Sequence, residues 1–230
     1  MTPFRPGPDG YEASWEEAER HVLAGVAREV AALLREQAGL PDTDADDPLG
    51  ALAATMQSTG TPREPDDPAA RRLLPDASRD DASVSAEFRH LTQTDLAAAK
   101  VRGLELFADL LDGAALDDVD PSPAGLDYGL DDELDDRAVV LVTRQDARDV
   151  AAALTDVRLV VAQRLGLETD DDVETLHDEV LADAVDDDAA RGLDADVRRY
   201  WGGIFVAAGF AQESLVGAML DDHRASRSGG

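Results

Sequence analysis

The sequence predicts a mainly α fold, a helical bundle of about six helices around a C-terminal core helix, with a minor two- or three-stranded β-sheet. Apolar residues recur at intervals of three and four along most of the chain, the spacing of helices that bury one face. Stretches of Pro, Gly and Asp separate these segments. One run of β-branched residues, RAVVLVT at 137–143, is instead typical of a strand.

The N-terminal residues predict a small hairpin followed by a long helix. A Gly-Pro-Asp-Gly turn at 7–10 lies between two short arms. Ser14 and Glu17 fit a capping box, in which each side chain bonds the other residue's amide, so we expect the helix to begin there. Its apolar stripe starts at Trp15, and Gly39 is expected to end it.

The middle of the chain predicts two short helices, one longer helix and an acidic loop. Asp-Pro pairs at 47–48 and 67–68 suit helix starts, with Asp as the cap and Pro in the first helical position. A longer apolar stripe predicts a helix over about 82–112. Residues 113–136 combine Pro and Gly with many Asp residues and predict a long acidic loop.

The C-terminal half predicts the strand at 137–143, which can pair with the hairpin, and then three helices. Thr143 with Asp146 begins a helix that Gly166 ends, and Thr169 caps the next one. The most apolar segment predicts a last helix at 194–222, the core of the bundle.

These elements predict one domain. We expect residues 1–222 to form a single mainly helical domain that includes the acidic loop 113–136. Residues 223–230 are polar and are expected to be a disordered tail.

Composition restricts the classes of function. The formal net charge is −29, from 50 acidic against 21 basic residues. Because affinity for nucleic acids depends on cations that neutralise phosphates, direct DNA binding is not expected. There are no cysteines, which excludes disulfides and thiol redox switches. We find neither an apolar signal segment nor an uninterrupted apolar run of roughly 18 residues, so we expect a cytoplasmic protein without membrane attachment.

The charges are unevenly distributed. Residues 112–136 and 170–188 each hold ten acids and no lysine or arginine, whereas the stretches 69–103 and 137–165 are slightly basic. Two interpretations remain open: the arginines of the basic stretches pair with carboxylates inside the fold, or they face an acidic partner. The candidate cluster, either partner-binding or structural, comprises Arg71, Arg72, Arg89, Asp156, Arg158 and Arg164.

Three motifs carry a resemblance to a known family. The first is RLLPDA at 72–77, followed by DD at 80–81, EFR at 87–89 and then Thr92, Asp95, Leu96 and Lys100. The second is LTDVRL at 154–159 with RLG at 164–166, and the third is QESLV at 212–216. Together they resemble the actinobacterial domain-of-unknown-function family numbered two thousand and seventeen, over nearly the whole chain and in the same order.

The resemblance implies a cytosolic regulatory role. Genes of that family typically lie beside the gene for the adaptor ClpS, and some members are described as oxidative-stress transcriptional regulators. The chain departs from the family at Thr155, where Asn is usual. It also lacks the paired cysteines on which redox-sensing members depend, so a thiol switch is not carried over. Any transcriptional role would act through a protein, such as polymerase or a sigma factor.

No catalytic machinery is recognisable. The nucleophile elbow, the phosphate-binding Gly loop and the HExxH zinc motif do not occur. Glu174 and His177 resemble half of a di-metal carboxylate motif, but a second pair is not evident, and a solvated helix face is the preferred interpretation. Gly202, Gly203 and Gly209 indicate close helix packing or, alternatively, a ligand cavity against Trp201 and Phe205.

The sequence therefore predicts a non-enzymatic cytosolic regulatory protein that acts through protein contacts, and the family resemblance implies a transcription-associated role. We predict no catalytic residues, no cofactor and no metal, and the oligomeric state is left open. The alternative is a small-molecule-binding protein or an enzyme with a pocket in the helical core.

Overall fold

The computed structural model of the 230-residue chain describes residues 1–40, 64–75, 92–114, 137–183 and 193–228. Within these ranges the chain forms six helices and one three-stranded antiparallel sheet. The predicted fold class, mainly α with a minor sheet and a long C-terminal helix, is confirmed.

The sheet consists of strands β1 (Arg5–Pro6), β2 (Gly10–Glu16) and β3 (Arg137–Thr143), in the order β1-β2-β3. Both the N-terminal hairpin and its pairing with the predicted strand are confirmed. Gly10 lies opposite Thr143, and a Cβ at this position would lie 2.2 Å from the carbonyl oxygen of Val142. Only glycine allows the two backbones to approach this closely.

Helix α1 spans Glu17–Ala38, and the predicted cap at Ser14 is wrong. Ser14 and Trp15 lie inside β2, where they pair with Val139 and Ala138. Seven paired residues, together with the complete burial of Trp15, outweigh a local capping signal. Glu16 caps the helix instead, in a capping box with Glu19.

Helix α1 ends as predicted. Gly39 adopts the left-handed conformation, with φ 63°, which the C-cap motif requires and which glycine adopts without strain.

Helices α2 (Pro68–Leu73) and α3 (Thr94–Gly113) follow. Asp67 caps α2 as predicted, because its side chain accepts hydrogen bonds from the amides of Ala69 and Ala70. The helix predicted after 47–48, the first part of the helix predicted over 82–112, and almost all of the acidic loop at 113–136 lie outside the described residues.

Helices α4 (Ala147–Leu165), α5 (Asp170–Asp183) and α6 (Leu193–Ser228) complete the chain. The predicted start signals are confirmed. The Thr143 hydroxyl donates to the Asp146 carboxylate and accepts a hydrogen bond from the Asp146 amide. At the next helix the Thr169 amide donates to the Asp172 carboxylate, and the Asp172 amide donates to the Thr169 hydroxyl.

Helix α6 continues to Ser228, whereas the sequence predicted an end near 222. Arg224 forms an ion pair with Asp221, and Ser226 Oγ donates to the carbonyl of Asp222, which supports the extra turns.

Helix α4 contacts α1, α2, α3, α6 and β3. It runs antiparallel to α6, because Ala151 meets Gln212 near one end and Leu165 meets Arg198 near the other. Helices α1 and α3 are also antiparallel, as the ion pairs of Arg28 with Asp112 and of Arg35 with Glu105 require. Because five elements contact α4, most of its faces lie against protein.

Helix α6 is long and apolar enough to cross a membrane by length and composition, with a mean hydropathy of 1.5 in its most apolar window. The same test is met by core helices of soluble proteins, and 39% of this window is buried inside the molecule. This is weak evidence for a membrane span.

Candidate functional site

Asp156 projects from α4 towards α3 and forms a closed charge pair. The Lys100 ammonium donates a 2.5 Å hydrogen bond to Oδ1 of Asp156, and Asp156 is only 2% exposed. Burial raises the pKa of this carboxyl group, and the hydrogen bond and charge of Lys100 oppose that rise. Lys100 is the only lysine in the sequence.

Arg158, two residues further along α4, projects towards α6 instead. Its Nη1 donates to Oε1 of Gln212 at 2.7 Å, and the guanidinium carbon lies 5.2 Å from the centre of the Phe205 ring. The guanidinium passes over Gly209, where a Cβ would lie at ordinary contact distance, 3.5 Å, from Nε of Arg158. Nε is buried and has no hydrogen-bond partner in the described part of the chain.

The amide of Gln212 is held in one orientation. Its Nε2 donates to Oγ1 of Thr155 at 2.5 Å and, more weakly, to the carbonyl of Ala151 at 3.4 Å. Oε1 of Gln212 therefore faces Arg158 and fixes the guanidinium without neutralising it. We refer to Thr155, Arg158, Phe205, Gly209 and Gln212 as the α4–α6 seam.

Three of the other predicted arginines lie together near α2 and the C-terminal end of α4. Arg164 donates to the carboxylate of Asp67 at 2.7 Å, and Arg72 donates to the Gln163 amide oxygen at 2.7 Å.

Arg71 bonds the carbonyls of Pro65 and Asp66 and lies 3.5 Å from the Glu64 carboxylate. The sequence-predicted cluster is therefore divided, with Arg158 and Asp156 on other sides of α4, and Arg89 lies outside the described residues.

Asp67 links α2 to α4 electrostatically. Partial burial by itself raises the pKa of the Asp67 carboxyl group, but hydrogen bonds from Arg164 and from the amides of Ala69 and Ala70 outweigh burial. The net effect lowers the pKa of Asp67 below its ordinary value. The carboxylate serves both as the helix cap and as an anchor for Arg164.

An apolar furrow follows α1, with its opposite wall formed by α6 at one end and by α4 and Trp201 of α6 at the other. It contains two cavities of about 290 and 270 Å³. The first is lined by Val26, Glu29, Val30, Leu33, Val160, Val161, Arg164 and Trp201. The second is lined by Met1, Ala18, Glu19, Val22, Leu23, Tyr200, Gly203, Ile204 and Ala207. We call this feature the α1–α6 furrow.

The furrow leaves large apolar side chains in contact with solvent. Tyr200, which lines the second cavity, is 53% exposed, and Val197, one turn earlier on α6, is 49% exposed. Gly203 lies in the wall of the furrow, and a Cβ built there would meet no atom within 4 Å. The sequence placed Val197 and Tyr200 on the core face of the last helix, because spacing alone does not distinguish a buried stripe from the wall of an open furrow.

The glycines of α6 have two different surroundings. A Cβ at Gly202 would lie 2.9 Å from Cδ1 of Leu176, so this glycine permits close packing against α5, as predicted. His177 stacks obliquely near Phe205, at 6.4 Å between ring centres. The described residues contain no group of three or more His, Asp or Glu side chains that could hold a metal ion.

Sequence reasoning also missed Arg20. This residue is buried in α1, with 5% exposed, and its Nε and Nη1 have no partner among the residues that the structure describes. The distribution of charges along the sequence gives no signal for a single buried arginine.

The chain belongs to the family described as Domain of unknown function (DUF2017), whose model matches residues 1–219. The resemblance stated from the three motifs is thereby confirmed. No curated protein and no solved structure matches the chain.

Proposed function

We propose that this member of the DUF2017 family is a non-enzymatic cytosolic regulatory protein that binds another protein through the α1–α6 furrow. The observation that supports this proposal is the pair of apolar cavities along the furrow, beside exposed Tyr200 and Val197. Contiguous apolar surface on a soluble protein is typical of interaction sites.

The length of the furrow suits a bound α-helix rather than a flat protein surface. Its α1 wall extends from Ala18 to Leu33, which is about 22 Å at 1.5 Å per helical residue. Val160 and Val161 of α4 contribute the floor of the first cavity. We infer that the occupant is an amphipathic helix of about four turns that inserts its apolar face.

Charge favours a basic polar face on that helix. The chain carries a formal net charge of −29, which attracts a cationic partner from a distance and repels nucleic acid. Glu29 stands exposed on the furrow wall, where a basic residue of the partner can reach it. By the family resemblance, a component of the transcription machinery is one possible source of such a helix.

A small apolar acid is the second candidate ligand. The first cavity combines apolar walls with Arg164, and its volume of about 290 Å³ is near the lower limit for ligand sites. However, Arg164 already donates to Asp67, which reduces its capacity for a ligand carboxylate. We therefore place protein binding first.

Site-specific crosslinking tests the proposal. A photoreactive phenylalanine analogue at position 200, in the full chain in its native cells, should crosslink a protein segment whose sequence has helical apolar spacing and basic residues. The corresponding synthetic peptide should bind the purified chain. Gly203→Leu should weaken that binding at least tenfold, because the side chain enters the furrow.

Gly217→Leu is the matched control, since position 217 is also helical and open but does not line the furrow. A peptide that binds Gly203→Leu and the unchanged chain equally well would refute the docking surface. Capture of a small apolar acid instead of a protein would favour the second candidate.

A further inference from the structure

We propose that Arg158 anchors a carboxylate-binding site on the α4–α6 seam, and that its ligand is an acidic side chain of a partner polypeptide. This site is independent of the furrow, because none of its residues lines either cavity and it relies on charge rather than on apolar burial. It holds whether or not the furrow binds a helix.

The charge on Arg158 is not neutralised in the described part of the chain. Arg28, Arg144 and Arg164 each form an ion pair with an aspartate. Arg158 contacts only a neutral amide and an aromatic ring, although the sequence has 50 acidic residues available. Because a guanidinium stays protonated at physiological pH, a partly buried and unneutralised one favours an incoming anion.

The guanidinium is also held ready for a ligand. Gln212 is oriented by Thr155 and Ala151, and it fixes one end of the Arg158 side chain. Gly209 and Phe205 lie beneath it, so the guanidinium lies along α6. An incoming carboxylate therefore needs to order few protein atoms, which reduces the entropic cost of binding.

The surroundings favour a peptide carboxylate over inorganic phosphate. Val216 and Leu220 follow Gln212 by four and eight residues on the same side of α6, and they are 39% and 49% exposed. An apolar residue beside the acidic one can cover them. A phosphate dianion would also be repelled more strongly than a single carboxylate by a chain of net charge −29.

The test uses the full chain labelled with ¹⁵N at arginine and follows the Nε–Hε signals by NMR. The probe is the capped dipeptide N-acetyl-glutamyl-leucine amide, and the matched control is N-acetyl-glutaminyl-leucine amide. We expect the glutamyl peptide to shift the Arg158 signal saturably and the glutaminyl peptide to leave it unchanged. Arg158→Gln assigns the signal and should abolish the response.

Two further variants separate the possible outcomes. Gln212→Glu supplies an internal carboxylate and should also abolish the response, provided its amide spectrum shows a folded chain. Gly203→Leu, which blocks the furrow, should respond like the unchanged chain. Equal shifts with both peptides, a shift that never saturates, or tighter binding of inorganic phosphate than of the glutamyl peptide would overturn the proposal.

Discussion

Asp156 and Arg158 lie two residues apart on the same helix, yet their charges are treated in opposite ways. The Asp156 carboxylate is buried and paired with an ammonium, whereas the Arg158 guanidinium is held by an amide that leaves its charge intact. The charge on the α3 side of α4 is therefore neutralised within the chain (the closed side), whereas the charge on the α6 side is not (the open side). In a chain with a large surplus of acids, a partly buried arginine that is fixed by an amide rather than by a carboxylate is a candidate for binding an external anion.

Removal of Lys100 should produce the largest effect and test the closed side. Lys100→Met leaves the Asp156 carboxylate buried without its partner, and we expect a loss of about 3 kcal/mol in unfolding free energy at pH 8. Burial already raises the pKa of Asp156. The loss should therefore shrink as pH falls and the carboxyl group takes up a proton in the folded state.

Urea unfolding at pH 8 and pH 5 measures this difference. Arg102→Met is the matched control, since Arg102 lies two residues along the same helix and is exposed. Its cost should stay within about 0.5 kcal/mol. Equal losses for Lys100→Met at both pH values would contradict a charge pair that depends on Asp156 ionisation.

Removal of the Arg158 guanidinium should cost less and test the open side. We expect Arg158→Met to lose about 1–2 kcal/mol, from one hydrogen bond to Gln212 and the contact with Phe205. A double-mutant cycle with Gln212→Met isolates the coupling between the two side chains. A loss as large as that of Lys100→Met would mean that Arg158 has a buried carboxylate partner, and the comparison would fail.

Two glycines of α6 should respond to alanine with opposite signs. Gly209→Ala places a methyl group at ordinary contact distance from Arg158, so the helix propensity of alanine should stabilise the chain by about 0.5–1 kcal/mol. Gly202→Ala places one 2.9 Å from Leu176, and overpacking should outweigh that gain by about 1 kcal/mol. Thermal unfolding of both variants measures the difference, and destabilisation by Gly209→Ala would show that the seam has no spare room.

The smallest expected effect concerns Asp67, the carboxylate that neutralises Arg164. Its pKa is lowered in the folded state, so it stabilises the fold above about pH 3.9, the ordinary value for Asp. That stabilisation is lost as pH falls through the lowered folded-state pKa. Asp67→Asn keeps the helix cap and should cost under about 1 kcal/mol at pH 7, because Arg164 is half exposed and its ion pair is screened. The cost should decrease as the pH falls through the lowered folded-state pKa of Asp67 in urea titrations, and a constant cost would assign the effect to the cap alone.

Local signals could be predicted from the sequence. Gly39, Gly166 and Asp67 act within one helical turn, and their roles were predicted correctly. The true start of α1 after Glu16 could not be predicted, because the strand that pairs with Ser14 lies more than 120 residues away and a local pattern does not contain that information.

The candidate site could be predicted only in part. The motifs identified Asp156 and Arg158, and residues two apart on a helix differ in direction by about 200°, so opposite orientations could have been predicted. The partners Lys100 and Gln212 could not, since they depend on which helices pack against α4. The furrow was missed for the same reason, because apolar spacing does not show whether a neighbouring helix packs directly against that face or leaves a gap.

Residues of the N-terminal hairpin form hydrogen bonds with α6. The Phe4 amide donates to Oγ of Ser214, 210 residues away, and the Tyr11 hydroxyl donates to Asp222. During synthesis on the ribosome, β1 and β2 therefore cannot form their contacts with α6 until Ser214 and Asp222 have emerged. Until then Phe4 and Trp15, whose rings contact each other, lie in or next to strands that still lack the part of their cover that α6 supplies.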